Sequence, residues 1–250
     1  MGKLIITDLK KLFGDYLIYL SMIGLGFAYI LGYLEMIQGQ FYVGGIDQAM
    51  LFIESNEIVL IAFLLCIVGG GFLYCREVKH GYLKFEIQRT GVGKYTLSKL
   101  ITSLAGGFLT AIAGMIISII GIIGILWIKY ADKTLIWSDW EAFEQMMWVW
   151  ILKALLCGVL SAMGFLVTTF VSNYYIGLIT PLILYYVILD LEIWIPIPPI
   201  LQFSNVYNNI IGLESGYVGY LIYALLYTSC LLTLFYMIAK VQIQRRLEHA

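Results

Sequence analysis

The stretch LITSLAGGFLTAIAGMIISIIGIIGILWI occupies positions 100–128 and contains no charged residue. A helix needs about 20 mostly apolar residues to cross about 30 Å of hydrocarbon, so this stretch is long enough to span a membrane. Five further apolar runs occur along the 250-residue chain. The six predicted membrane spans cover residues 16–34, 57–74, 100–128, 154–172, 174–191 and 217–239.

The composition supports a membrane protein of the all-α class. Hydrophobic residues make up 61% of the chain and charged residues 12%, whereas soluble domains carry about 25% charged residues. So few charges cannot cover a soluble globule of this size, which excludes a soluble enzyme or a disordered chain. The net charge of −1 offers no general attraction to nucleic acid. We therefore expect one transmembrane domain over 1–250 and no nucleic-acid partner.

The basic residues indicate the orientation. Twelve of the 15 lysines and arginines fall before the first span, in the segment 75–99, or after the last span. Since cytoplasmic segments carry an excess of lysine and arginine, both termini and the segment 75–99 are predicted to be cytoplasmic. The six tryptophans map to the opposite side, where indole rings favour the membrane interface; a ligand cage is the alternative. They are Trp127, Trp137, Trp140, Trp148, Trp150 and Trp194.

Residues 3–14 are predicted to form an amphipathic helix on the inner membrane surface. Its apolar side chains recur at helical spacing, and its charged side chains are assigned to the other face, near anionic headgroups. The apolar set is Leu4, Ile5, Leu9, Leu12 and Phe13, and the charged set is Lys3, Asp8, Lys10 and Lys11.

Two features are predicted on the outer side. Lys153, where the fourth span begins, either extends to the interface or pairs with Asp190 or Glu192. Residues 192–216 are apolar but carry three prolines, so they cannot form a regular spanning helix. We interpret this segment as re-entrant and packed against protein, or else as a rigid outer cap.

The segment 75–99 is where a soluble partner could bind. Gly91-Val92-Gly93-Lys94 superficially resembles a phosphate-binding loop, but Gln88 and Tyr95 stand where that motif needs glycine and serine or threonine. ATP binding by this chain is therefore not expected. Residues 76–88 are predicted to continue as a helix, with a break at 89–93. This helix is either a docking element for a soluble protein or part of an ordinary positively charged loop.

A family resemblance adds to this interpretation. The six spans, the amphipathic N-terminal helix and the pattern Glu77-x-x-x-Gly81, followed by Arg89 and by Lys99 entering the third span, resemble the permease subunit of a type-2 ATP-binding-cassette (ABC) exporter. Within that class, the chain looks most similar to permeases of lantibiotic-immunity and bacteriocin-export systems. The chain departs from the family at Thr90-Gly91, where such loops often carry proline.

The resemblance implies partners and a coupling site. In that family the loop is a coupling helix seated in the ATPase subunit, and two permeases, identical or homologous, enclose the substrate path. ATP and Mg²⁺ would then be bound by the separate ATPase, and no cofactor or metal by this chain. The implied coupling residues are Arg76, Glu77, Lys79, Gly81, Tyr82, Phe85, Arg89 and Lys94.

No catalytic motif competes with this hypothesis. The centres of the predicted spans lack ionisable side chains, which argues against a proton- or sodium-coupled carrier. The expected function is export of an amphipathic or apolar substrate, such as an antimicrobial peptide, lipid or drug, across a bacterial plasma membrane. The chain is not expected to be an enzyme. The alternative is a non-transporting membrane immunity or scaffold protein that binds a peptide at its outer face.

Overall fold

A computed structural model describes residues 2–38, 58–129, 140–208 and 216–248. Within these ranges the protein is helical and contains no strand, which confirms the all-α class. The elements are α1 (Gly2–Phe13), α2 (Tyr16–Gln38), α3 (Ile58–Gly70), α4 (Leu73–Lys79), α5 (Leu83–Thr90), α6 (Val92–Lys129), α7 (Trp140–Phe170), α8 (Tyr174–Trp194), a 3₁₀ turn (Pro199–Leu201), α9 (Phe203–Asn208) and α10 (Gly216–Glu248).

In the described part of the chain, five helices are long and apolar enough to cross a membrane: α2, α6, α7, α8 and α10. A sixth candidate consists of α3 and α4, which meet at a bend of 46° and coincide with the predicted span 57–74. The protein is therefore rich in helices that could span a membrane. The fourth predicted span falls in a longer helix, α7, which begins at Trp140 and ends at Phe170.

The centre of the bundle is α7. In the 18-residue apolar stretch that makes α7 a candidate span, 83% of the residues are buried. The corresponding share is 17% in α10 and 22% in α8. The exposed side chains of α8 and α10 are large and apolar, among them Ile183, Leu226 and Met237. Such faces suit hydrocarbon rather than water, so α8 and α10 form the periphery of the chain.

Small residues let α3, α6 and α7 pack closely within this chain. A Cβ added to Gly70 would lie 2.4 Å from the backbone oxygen of Ser103, and one added to Gly107 would lie 2.6 Å from that of Cys157. The Ser103 hydroxyl also donates a hydrogen bond to the backbone oxygen of Ser161, at 2.8 Å. At these positions close helix approach serves intramolecular packing.

The segment 75–99 breaks at Gly91, inside the predicted break at 89–93, and it breaks a second time at residues 80–82, which were predicted to be helical. The chain leaves α4 at Lys79, turns at Gly81 with φ +72°, and forms α5. Gly91, with φ +79°, then separates α5 from α6. Positive φ is readily adopted by glycine, which explains why the helix predicted over 76–88 is interrupted at residues 80–82. The third span is the continuation of α6, which begins at Val92.

The described part of the proline-containing segment, up to Asn208, packs against α8 and α10. The carboxylate of Glu192 accepts hydrogen bonds from the backbone amides of Phe203 and Ser204, the second at 3.1 Å, and so caps α9. The Tyr220 hydroxyl donates to the backbone oxygen of Val206, at 2.9 Å. Residues 209–215 lie outside the described ranges, and the re-entrant path stays a prediction.

Candidate functional site

A group of ionisable side chains lies where the first turns of α6 meet α1, α4 and α5; Asp8, Glu77 and Lys99 are buried, Glu86 is partly buried and Lys11 is exposed. We call it the charge network; its members are Asp8, Lys11, Glu77, Glu86 and Lys99, with the neighbouring hydroxyls of Tyr95 and Ser98. The end of the bundle that contains it is called the basic end. The C-terminal part of α10 reaches the same end, since Arg246 donates to the backbone oxygen of Phe170 and lies over the Tyr74 ring of α4.

Lys99 is at the centre of the network, and its side chain is only 1% exposed. Its ammonium donates to Asp8 Oδ1 at 2.8 Å and also to Glu77 Oε1, and Glu86 Oε2 lies 3.5 Å away. These three carboxylates belong to α1, α4 and α5. One lysine of α6 therefore joins three other helices.

Two hydroxyls of α6 complete the coordination of the buried carboxylates. Tyr95 donates to Glu77 Oε2 at 2.6 Å, and Ser98 donates to Asp8 Oδ2 at 2.5 Å. Tyr95 and Lys99 are four residues apart and therefore share one face of the helix. Each oxygen of Asp8 and of Glu77 thus accepts a hydrogen bond from α6, as buried charges require.

Lys11 supplies the second cation. It pairs with Glu86 and lies 3.6 Å from Glu77 and 3.9 Å from Asp8. Carboxylate oxygens of Asp8, Glu77 and Glu86 come within 4.8 Å of one another, a spacing that could hold a metal ion. The Lys99 ammonium contacts all three carboxylates, so it takes the position that such a cation would occupy.

The protonation of Glu86 reflects this arrangement. Partial burial raises the pKa of Glu86, but its bond to Lys11 and the charge of Lys99 outweigh that effect, and the pKa lies below its ordinary value. Removing one partner from a buried ion pair costs about 3–5 kcal/mol, because the other charge is left uncompensated. The network therefore links α1, α4 and α5 to α6.

Asp8 corrects the sequence prediction. It was assigned to the headgroup face of the N-terminal helix, but it is 1% exposed and faces α6. Its neighbour on that face, Leu12, is fully buried beside Ile18 and Leu73. Residues 4, 8 and 12 follow a four-residue spacing that places them on one helix face; this spacing was the available signal, and the charge of Asp8 obscured it.

The predicted coupling residues lie together at the basic end, in two environments. Arg76 forms an ion pair with Asp15, in the short link between α1 and α2, and the Lys79 ammonium lies over the Tyr174 ring at 5.9 Å. Arg76, Glu77 and Lys79 belong to α4 and are engaged with the bundle.

The remaining coupling residues project outward. Tyr82 is 61% exposed and Phe85 72% exposed. Both follow the turn at Gly81, and Arg89 and Lys94 are exposed on either side of Gly91. We call residues 80–91 the elbow. Beside it lies a cleft of about 490 Å³, bounded by Tyr82 and Phe85 and by Glu77 and Glu86 of the charge network.

The tryptophans predicted at the outer interface occupy different environments. Trp127 and Trp194 are exposed, as lipid-facing residues would be, and Trp148 stacks on Tyr217 with ring centroids 5.9 Å apart. Trp150 is buried in the core and does not face lipid. Trp137 and the side chain of Trp140 lie outside the described part of the chain.

Glu192, one of the two carboxylates predicted to pair with Lys153, caps a helix, and this role was not predicted from the sequence. Glu192 is engaged with the amides at the start of α9, whereas Asp190 is exposed and Lys153 half-buried. Pairing of Lys153 with either carboxylate stays a prediction.

The chain matches no protein-family model, and no curated protein or solved structure is significantly similar to it. A function must therefore be inferred from the charge network, from the elbow beside it and from the sequence resemblance.

Proposed function

We propose that this protein is the permease subunit of an ATP-driven exporter of the type-2 ABC class. In this proposal it crosses a bacterial plasma membrane six times, with both termini in the cytoplasm. It pairs with a second permease, identical or homologous, and with two ATPase subunits that bind ATP and Mg²⁺. The cargo is an amphipathic or apolar molecule such as an antimicrobial peptide, lipid or drug.

The observation that carries the proposal is the position of the elbow. Tyr82 and Phe85 expose aromatic surface at the basic end, and exposed aromatic side chains are favoured anchors in protein interfaces. The cleft beside them has Glu77 and Glu86 in its wall. A soluble partner bound to the elbow would therefore lie next to the charge network, and a movement of that partner could displace Glu77 and Glu86.

The network offers a route from the elbow to the membrane. A displacement of α5 would move Glu86, and a displacement of α4 would move Glu77; both carboxylates contact Lys99 of α6. With 38 residues, α6 is about 57 Å long at 1.5 Å per residue. A helix longer than the bilayer is thick can transmit a movement at one end to the membrane interior.

The need for an external energy source follows from the spans. In the described part of the chain, the centres of the six predicted spans contain no aspartate, glutamate, histidine, lysine or arginine. Ion-coupled carriers place such groups near mid-depth. An apolar path without them suits an apolar cargo and a driving force supplied by a partner.

Co-purification tests this proposal. We expect the wild-type protein, isolated from its native host in mild detergent, to retain an ATPase subunit. The double variant Tyr82→Ala/Phe85→Ala should lose that subunit and keep its thermal unfolding midpoint, because both side chains are exposed. Ile128→Ala/Trp194→Ala is the matched control, since it removes exposed apolar surface at the other ends of α6 and α8.

Two results would contradict the proposal. One is retention of the ATPase by the elbow variant. The other is a wild-type particle that protects cells from a toxic peptide with no ATP-hydrolysing partner, which would favour the immunity or scaffold alternative.

A further inference from the structure

A second cleft, of about 380 Å³, lies between α1 and the junction of α5 with α6. Its volume is within the range of small-molecule sites, about 300–1,000 Å³. Lys3 and Lys11 line it from α1, and Arg89 and Lys94 line it from the opposite side. Four basic side chains from three helices, α1, α5 and α6, thus converge on one concave site.

The carboxylates of the same cleft do not neutralise these cations. Asp8 and Glu86 are in the wall, but Asp8 is bound by Lys99 and Ser98, and Glu86 by Lys11. Among the described residues, Lys3, Arg89 and Lys94 have no carboxylate partner within ion-pair distance. The cleft therefore keeps an excess of positive charge.

The start of α6 adds donors for an anion. The Tyr95 amide donates to the backbone oxygen of Gly91, at 3.1 Å. The amides of residues 92–94 precede it, and the first amides of a helix have no intrahelical acceptor. They also carry the positive end of the helix dipole. Thr90 and Lys94 bring this helix start to the cleft wall.

The helix α1 that lines the cleft adjoins a candidate membrane span. α1 ends at Phe13, and the candidate span α2 starts at Tyr16, so a bilayer crossed by α2 would bring its headgroups next to α1. Leu4 also lines the cleft, which gives its rim an apolar component next to the basic side chains. This combination suits a ligand with a charged head and an apolar continuation.

We propose that this cleft binds a phosphate group, and that the phosphate is the headgroup of an anionic phospholipid in the adjoining leaflet. Basic pockets between helices on the cytoplasmic side are suited to anionic lipid headgroups. Lys11 belongs both to the cleft and to the charge network, so an occupied cleft is in contact with the residues that hold α1, α5 and α6 together. The inference does not depend on an ATPase partner.

Lipid titration of the purified full-length protein tests the inference. The protein in neutral detergent is titrated with phosphatidylglycerol, phosphatidylcholine or inorganic phosphate, and the thermal unfolding midpoint is followed. We expect a saturable rise with phosphatidylglycerol and none with phosphatidylcholine. Arg89→Gln/Lys94→Gln should weaken the apparent affinity for phosphatidylglycerol at least about tenfold, given the contribution of each basic residue near an anionic surface.

Matched variants separate a defined site from general charge. Lys10→Gln/Arg245→Gln removes the same charge from exposed positions at the basic end that do not line the cleft, and it should keep the wild-type affinity. Arg89→Lys/Lys94→Arg keeps the charge in the cleft and should also bind, which excludes misfolding as the cause of a loss.

Each remaining outcome is decisive. An equal rise with inorganic phosphate would support the phosphate site and overturn its assignment to a lipid. Equal affinities of the cleft variant and the Lys10/Arg245 variant, or no rise with any phosphate compound, would overturn the inference.

Discussion

Replacement of Lys99 by methionine should destabilise the protein strongly, because it removes the central cation of the charge network. The Lys99 ammonium lies 2.8 Å from Asp8 Oδ1. At an effective dielectric constant of about 20, unit charges at that distance attract by about 6 kcal/mol. Desolvation offsets part of this attraction, and breaking a buried pair typically costs about 3–5 kcal/mol. We expect Lys99→Met to lower the free energy of unfolding by that amount.

A double-mutant cycle with Asp8→Asn measures how much of this loss belongs to the pair. Once Asp8 is neutral, removing Lys99 should cost less, and contacting charges commonly show coupling of about 0.5–3 kcal/mol. The assay is reversible unfolding in mixed micelles, followed by circular dichroism.

Lys94→Met is the matched control for Lys99→Met, since Lys94 is exposed on the same helix. Exposed substitutions usually change stability by no more than about 0.5 kcal/mol. Equal effects of Lys99→Met and Lys94→Met, or a zero coupling energy between Lys99 and Asp8, would refute the interpretation of the network.

Two further predictions concern the elbow. Gly81→Ala should destabilise the protein by about 1–2 kcal/mol, which is the cost of φ near +72° for a residue with a Cβ. The control is Gly124→Ala, in the ordinary helical backbone of α6 with open space around it, which should be neutral or stabilising in the same unfolding assay. Destabilisation by both substitutions would contradict the backbone argument. Glu86→Gln should lower the free energy of unfolding most at neutral pH and progressively less below about pH 4.5. The reason is that the lowered pKa of Glu86 makes the folded state hold this proton less tightly than the unfolded state. A difference in unfolding free energy between wild type and variant that grows as the pH falls would contradict this prediction.

Hydropathy predicted much of this fold, because a long apolar segment in a bilayer must satisfy its backbone hydrogen bonds internally, as a helix does. Long uncharged runs such as 100–128 leave few alternatives to a membrane helix. The ends of the helices were harder to predict from the sequence. The turn at residues 80–82 depends on Gly81 adopting positive φ, and the helical pattern over 76–88 continues across that turn. α6 also starts at Val92, earlier than the apolar run, because polar residues can extend a helix beyond hydrocarbon.

The candidate site was only partly predictable. Glu77 and Lys99 were singled out by the family resemblance, yet their mutual contact depends on how α4 and α6 pack, which periodicity does not encode. Asp8 was assigned to the wrong face, since a charge was taken to imply exposure. A charge buried on an apolar face is explained by a partner on another helix, and that partner lies 91 positions away in the chain.

The proposed function requires that the elbow bind a soluble ATP-hydrolysing subunit. Photo-crosslinking in native cells tests this directly, with a photoreactive amino acid placed at position 85 and, as control, at position 194 on the opposite side of the bundle. We expect position 85 to capture a nucleotide-binding ATPase subunit and position 194 not to capture one. Capture at position 85 of lipid alone, or of no ATP-hydrolysing protein, in cells where the protein is functional would contradict the proposed function.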